Sequence, residues 1–204
     1  MQSICDILTN ILTQLALMAK NEKSHHIGTL SPEMALLGLL YRKAGYGYDL
    51  HRKIVSDLGQ VWHLSQSQAY SILKRLETKG DISTREIPQE KLPSRQELHI
   101  TAQGRRNFMT WLDAPSGGST RAIRMEFVTR LYFLNMYFPE KVFEAFEQQR
   151  AEAQTNIQRL ETTLNDLPNE QIYNRMSLEM RLKQLYLVLD WLDECQRNFQ
   201  TVRG

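Results

Sequence analysis

The sequence predicts a mainly α-helical protein with one small β-hairpin in its first half. Three observations carry that expectation. Apolar residues recur at the three- and four-residue spacing of helical faces over most of the chain. Ile82 to Ile87 and Arg95 to Ile100 read as two strands around a charged, proline-bounded tip. Beyond Thr120, two long runs place apolar residues at alternating steps of four and three, the period of a coiled-coil seam. The composition suits a folded globular protein: 204 residues, 42% hydrophobic and 24% charged, with 10 Gly and 6 Pro. No run of about 18 apolar residues occurs, so no membrane span and no membrane partner are expected. Cys5 and Cys195 lie near opposite ends in no metal-ligand or redox motif, which makes the reducing cytoplasm the default location.

Four segments follow along the chain. Residues 1–29 hold an amphipathic helix, Ser3 to Lys20, with Ile4, Ile7, Leu8, Ile11, Leu12, Leu15 and Met18 on one face, then a polar linker. The polar face carries no Lys or Arg before Lys20, which favours packing on protein over lying on a membrane. Met18 is a second candidate for the start of translation. Residues 30–113 form a compact α/β module, 114–120 a short flexible linker (Asp113-Ala114-Pro115-Ser116-Gly117-Gly118-Ser119-Thr120), and 121–204 a helical domain.

Within the module, Ser31-Pro32-Glu33 reads as a helix start, with Ser able to cap, Pro in the first turn and Glu at the positive dipole end. Met34 to Tyr41 is a strongly apolar helix. Gly45-Tyr46-Gly47 is a tight break before a second helix, Tyr48 to Leu58, whose Leu50, Ile54, Val55 and Leu58 make one stripe. A third helix opens at Ser65 or Ser67 and closes at Gly80. The hairpin follows, and Thr101 caps a fourth helix, Ala102 to Leu112. Three helices and then a two-stranded hairpin is the order of a winged helix-turn-helix, whose third helix enters the major groove of DNA.

The third helix has the face that this role needs. Ala69, Ile72, Leu73 and Leu76 make its apolar side, while Ser67, Ser71, Lys74 and Thr78 lie opposite, flanked by Tyr70 and Arg75. Small hydroxyl side chains allow close approach and bond phosphates or bases, and Lys neutralises phosphate. The candidate DNA contacts are therefore Ser67, Gln68, Tyr70, Ser71, Lys74 and Arg75 on this helix, with Lys91 and Arg95 on the hairpin. Charge supports the placement: Tyr41 to Arg106 carries 12 Lys and Arg against 7 Asp and Glu, in a chain of net charge +2.

Met34 to Leu40, Gly45-Tyr46-Gly47-Tyr48-Asp49-Leu50, Ser65 to Gly80 and Ile100 to Arg105 resemble the PadR family of bacterial transcriptional repressors. Tyr70, Leu73, Lys74, Arg75, Leu76, Glu77 and Gly80 fall on the family's third-helix pattern, and Arg124 to Phe133 resembles its link into the dimerisation region. Ala69, Ser71 and Asp81 depart from that pattern, where Leu, Pro and an apolar residue are usual. The resemblance implies a winged helix-turn-helix followed by helices that pair two subunits. Some members respond to phenolic acids or flat aromatic compounds, so an aromatic small molecule is the inducer the resemblance offers.

In the helical domain, Arg121 to Phe138 reads as one apolar-rich helix and Pro139-Glu140 starts the next. The seam residues are Phe146, Ile157, Leu160 and Leu164 in one helix and Leu178, Leu182, Leu185, Leu189 and Leu192 in the other, with Arg150 the one misfit. An antiparallel pair closed on itself is one use of that seam. Pairing with a second subunit into a homodimer is the favoured one.

Enzymatic chemistry has no support in the motifs. There is no Gly-rich phosphate loop, HExxH, nucleophile elbow or paired-Cys metal site, and His51, His63 and His99 lie on separate elements. No catalytic residue, metal or cofactor is expected. The functional expectation is a cytoplasmic regulator, a repressor by the resemblance, that binds a palindromic operator in double-stranded DNA as a homodimer. The alternative is a winged helix used for protein–protein docking without DNA contact.

Overall fold

The computed structural model describes residues 30–88 and 94–203. The expected N-terminal helix, its Cys5 and linker, and Lys91 at the hairpin tip lie outside those residues. From Pro32 onward the chain forms one compact unit. The first part contains α1 (Glu33–Leu39), β1 (Gly45–Tyr46), α2 (Gly47–Leu58), α3 (Gln66–Thr78), β2 (Ile82–Ile87), β3 (Arg95–Ile100) and α4 (Ala102–Asp113). A short turn, α5 (Thr120–Ala122), leads through a π-helical turn at Ile123–Phe127 into α6 (Val128–Tyr137). A 3-10 turn at Pro139–Lys141 then opens α7 (Val142–Asn165), and α8 (Ile172–Arg203) completes the fold.

Local chemistry sets most of these boundaries. Ser65 and Gln68 cap α3 reciprocally, since the Ser65 side chain accepts from the Gln68 amide while Gln68 accepts from the Ser65 amide. Gly80 adopts a φ of +76°, a left-handed conformation that ends α3 cheaply only with glycine. Thr101 caps α4 by accepting from the Gly104 amide. At α1 the expectation fails: Pro32 rather than Ser31 is the N-cap, and no side chain bonds the helix start.

The expected hairpin forms with Ile82 opposite Ile100 and Ile87 opposite Arg95. A third strand was hidden in the sequence. Gly45 and Tyr46, read as a break, pair with Leu98 and Glu97, giving a three-stranded antiparallel sheet in the order β1-β3-β2. Two residues are too few to show alternation. Leu36, Leu37, Leu40, Ile54, Ala69, Leu76 and Phe108 lie fully buried where α1, α2, α3 and α4 meet. Each of the Leu, Ile and Phe side chains among them contributes roughly 1.5–3 kcal/mol relative to exposure. Val55, expected on the inner stripe of α2, is exposed. Asp81, the polar departure from the family pattern, is buried but satisfied, because Gln103 and Asn107 of α4 both donate to its Oδ1 at 3.1 and 2.7 Å.

The coiled-coil seam closes within one chain. Phe146 meets Phe199 at 5.7 Å between ring centroids, Arg150 pairs with Asp193 at 2.5 Å, and Tyr186 donates to Glu161 at 2.5 Å. Those contacts run in opposite directions along α7 and α8, so the two helices form an antiparallel hairpin. Phe146, Ile157, Leu160, Leu182, Leu185 and Leu192 are all buried in it. The seam expected to join two subunits is thus occupied internally, and Arg150, its apparent misfit, fixes the register of the pair by also donating to Gln196 at 2.8 Å. The expected single helix from Arg121 to Phe138 forms as one helical run over 120–137, with a π-turn inside it at Ile123–Phe127.

The segment expected as a flexible linker is pinned. Ser116 is buried, its amide donates to Gln149 Oε1 at 2.8 Å, and its carbonyl accepts from Gln149 Nε2 at 3.3 Å. Composition alone suggested mobility, but the linker carries one serine that α7 holds fast. Among the described residues, no helix is long and apolar enough to cross a membrane.

Candidate nucleic-acid interface

Helix α3 presents the face that the sequence predicted. Ala69, Ile72, Leu73 and Leu76 are buried, while Ser67, Gln68, Tyr70, Ser71, Lys74 and Arg75 are exposed. Their neighbours then sort them. Lys74 has no hydrogen bond or ion pair from its side chain among the described residues, so its charge stands outward, ready for phosphate. Arg75 is held by Glu33 at 2.5 Å, and Lys79 bonds the same carboxylate at 3.0 Å. Burial alone would raise the Glu33 carboxyl, but those two cations outweigh it and hold it below its ordinary value. Gln68 has its Oε1 committed to the cap of α3, and Ser67 shares a hydroxyl contact of 3.1 Å with Ser65.

Tyr70 and the wing complete the surface. A Cβ on Gly47 would sit 2.8 Å from the Tyr70 ring, so glycine lets α2 begin close against that half-exposed tyrosine without displacing it. Glu77, the carboxylate beside the outward face, accepts from the Thr84 hydroxyl at 2.5 Å and thereby ties α3 to β2. Arg95, at the start of β3, places its guanidinium 5.6 Å from the centre of the Tyr46 ring. Between these elements lies an open cleft of about 870 Å³, lined among others by Tyr46, Tyr48, Tyr70, Lys74, Glu77 and Arg95. Helix α3 and the hairpin therefore stand side by side with an aromatic groove between them, in which Lys74 and Arg95 face the carboxylates of Asp49 and Glu77. The sequence reading missed Tyr46 and Tyr48 as parts of this groove, because β1 went unrecognised.

Residues 36–110, which span this whole assembly, match the PadR-like family of transcriptional regulators. That part of the chain is a PadR-like domain. Residues 123–200 match the C-terminal region of virulence activator alpha proteins. The negative transcriptional regulator PadR of Bacillus subtilis (strain 168) is 26% identical over 133 residues, covering 65% of this chain and 72% of that protein. Among solved structures, Bacillus subtilis PadR in complex with operator DNA shares 23% identity at a TM-score of 0.39, covering 82% of this chain and 98% of that one. The same protein in complex with p-coumaric acid gives 21% identity, a TM-score of 0.36 and coverages of 83% and 95%. The smu.1604c protein of Streptococcus mutans UA159 gives 20%, 0.40, 81% and 98%. With that domain, the chain is a winged-helix, DNA-binding transcriptional regulator.

No metal-ligand group of three or more His, Cys, Asp or Glu residues occurs among the described residues. His51 bonds the Leu64 carbonyl oxygen and His99 bonds Glu97, each at 2.8 Å, so both are engaged locally. Cys195 is a free thiol.

Proposed function

We propose that this PadR-family chain is a cytoplasmic repressor that binds a palindromic operator as a homodimer and has no catalytic activity. The observation that carries the reading is the outward face of α3, where Ser67, Tyr70, Ser71 and Lys74 stand exposed with no carboxylate at the centre. Those residues enter the major groove and Arg95 contacts the backbone beside it, while Lys91, a further candidate contact, lies outside the described residues. Gln68 contributes from the first turn of α3, and Arg75 reaches phosphate only by leaving Glu33. Residues 30–113 act as the DNA-binding module and 121–204 as the dimerising one. The negative regulator PadR of Bacillus subtilis supports a repressor, and its crystallisation with p-coumaric acid supports a flat aromatic acid as the class of inducer.

The surface proposed for the second subunit is the outer side of α8. Tyr173, Met176, Met180 and Leu187 share one side of this helix and are 59–87% exposed, opposite the buried Leu182, Leu185 and Leu192. An exposed apolar stripe of this kind, interrupted at Lys183 and Gln184, supports an interaction surface there.

Titration of duplex DNA over a salt series tests the reading. Counterion release makes the affinity of a two-headed DNA binder fall steeply and linearly on logarithmic axes. A docking module built on an apolar patch gives a nearly flat response, and that result overturns the proposal.

A further inference from the structure

Although α6 lies beyond the segment expected as a linker, it is bonded to the winged head along its length. The Trp62 indole N–H donates to Thr129 Oγ1 at 2.8 Å, and Thr129 donates to the Met125 carbonyl in the π-turn at 2.6 Å. Tyr132 donates to Asp57 of α2 at 2.6 Å, and Tyr137 donates to the Gly38 carbonyl of α1 at 3.0 Å. One side chain carries this connection further. Arg130 is buried, with Nε donating to the Trp111 carbonyl at the end of α4 at 2.8 Å and the guanidinium 4.8 Å from the Trp111 ring centre. Its Nη1 donates to the Ser116 hydroxyl, and Ser116 is in turn clasped by Gln149 of α7, itself fully buried.

A continuous polar path thus runs from the last turn of the head, through Arg130 and Ser116, into the helical hairpin. An apolar side chain of similar size packs in several orientations, whereas a guanidinium bonded to two fixed acceptors admits one. Keeping a charge there is costly. Burial pushes the Arg130 guanidinium down to about 10 against the opposing pull of Glu126, whose Oε2 lies 3.9 Å away. A buried ionic group is weak evidence for stability, and fixing a geometry is the use to test for here. The π-turn just before α6 adds to the case, since such turns gather at functional positions in helices.

We propose that Arg130 is a positioning residue that fixes the angle between the winged head and the α7–α8 hairpin, and through it the separation of the two recognition helices. This rests on the two-headed DNA binding proposed above. A dimer bridges two half-sites only when its heads are held about 34–36 Å apart, or a multiple of that. The Arg130 path is the buried ionic link that sets this distance within each subunit. Arg130 touches no DNA.

Selection from a pool of duplexes with random sequence tests it with the full chain. Wild type enriches duplexes that carry one half-site word twice at a single separation. Arg130→Gln enriches the same word with separations scattered over several base pairs. It binds the wild-type-selected duplex about tenfold more weakly or worse, because the second contact loses effective concentration, yet binds an isolated half-site like wild type. Should Arg130→Gln fail to fold, Ser116→Ala removes one of its two acceptors with a smaller insult and broadens the separations in the same direction. Wild-type separation in the folded Arg130→Gln, or in Ser116→Ala where the first variant does not fold, overturns the positioning role alone. Wild-type duplexes without a repeated word overturn the two-headed reading and this inference together.

Discussion

Helices α3 and α8 each leave one face uncovered, and the two faces are chemically opposite. On α3 the exposed side is small, hydroxyl-bearing and cationic; on α8 it is Tyr173, Met176, Met180 and Leu187. The first is suited to a hydrated polyanion, whose affinity comes from neutralised phosphate. The second gains from removing apolar surface from water. Each helix also has an inner apolar side, and the sequence separates the inner stripe from the outer face on α3 but not on α8.

Substitutions on the inner and outer stripes of α8 break that comparison most sharply. Leu192→Asp places an unpaired carboxylate in the fully buried centre of the hairpin. An uncompensated buried charge costs about 3–5 kcal/mol, so this variant should unfold the hairpin and lower the melting temperature steeply in calorimetry. Met180→Asp, on the outer stripe, should leave the melting of the isolated subunit nearly unchanged while converting dimers to monomers by light scattering. Folded Leu192→Asp monomers alongside dimeric Met180→Asp would reverse the assignment of the two stripes.

A smaller contrast lies within α3. Lys74→Ala should flatten the slope of log affinity against log salt by about one unit, as loss of one phosphate contact does. Arg75→Ala should leave that slope in place and instead loosen α3 from α1, since its charge is committed to Glu33. Equal slopes for both variants would place Arg75 on DNA as well.

The smallest effect is a pH dependence. The folded Glu33 carboxyl lies below its ordinary value, so Glu33 contributes stability that is present above the unfolded pKa, about 4.3. That contribution disappears as pH falls through the folded value. Glu33→Gln should therefore melt lower than wild type at pH 7, and the gap should close on acidification below about pH 4. A gap independent of pH would detach Glu33 from the Arg75–Lys79 pair.

The winged head was legible because its signals are local. Ser65, Gly80 and Thr101 end or begin helices through bonds to residues one turn away, and the strands of the hairpin match the expected bounds. Apart from the α1 cap and the exposed Val55, the misses are non-local. Arg75 finds Glu33 across 42 residues, and β1 is defined only by the strand it joins. Leucine periodicity in α7 and α8 announces a seam without naming its partner, so the same Leu182 and Leu185 suit a second subunit or the chain's own preceding helix. Arg130 reads in sequence as an ordinary charge. Its one signal is position, among Phe127, Leu131, Phe133 and Leu134, where no solvent-facing side remains for it.

Hydroxyl-radical footprinting of the full chain on a duplex selected by wild type tests the central claim most directly. Two heads, each with α3 in a major groove, predict two protected patches related by two-fold symmetry, with centres about 34–36 Å apart or a multiple of that. Lys74→Ala should weaken both patches together. A single patch, or protection unaffected by Lys74→Ala, would contradict the account.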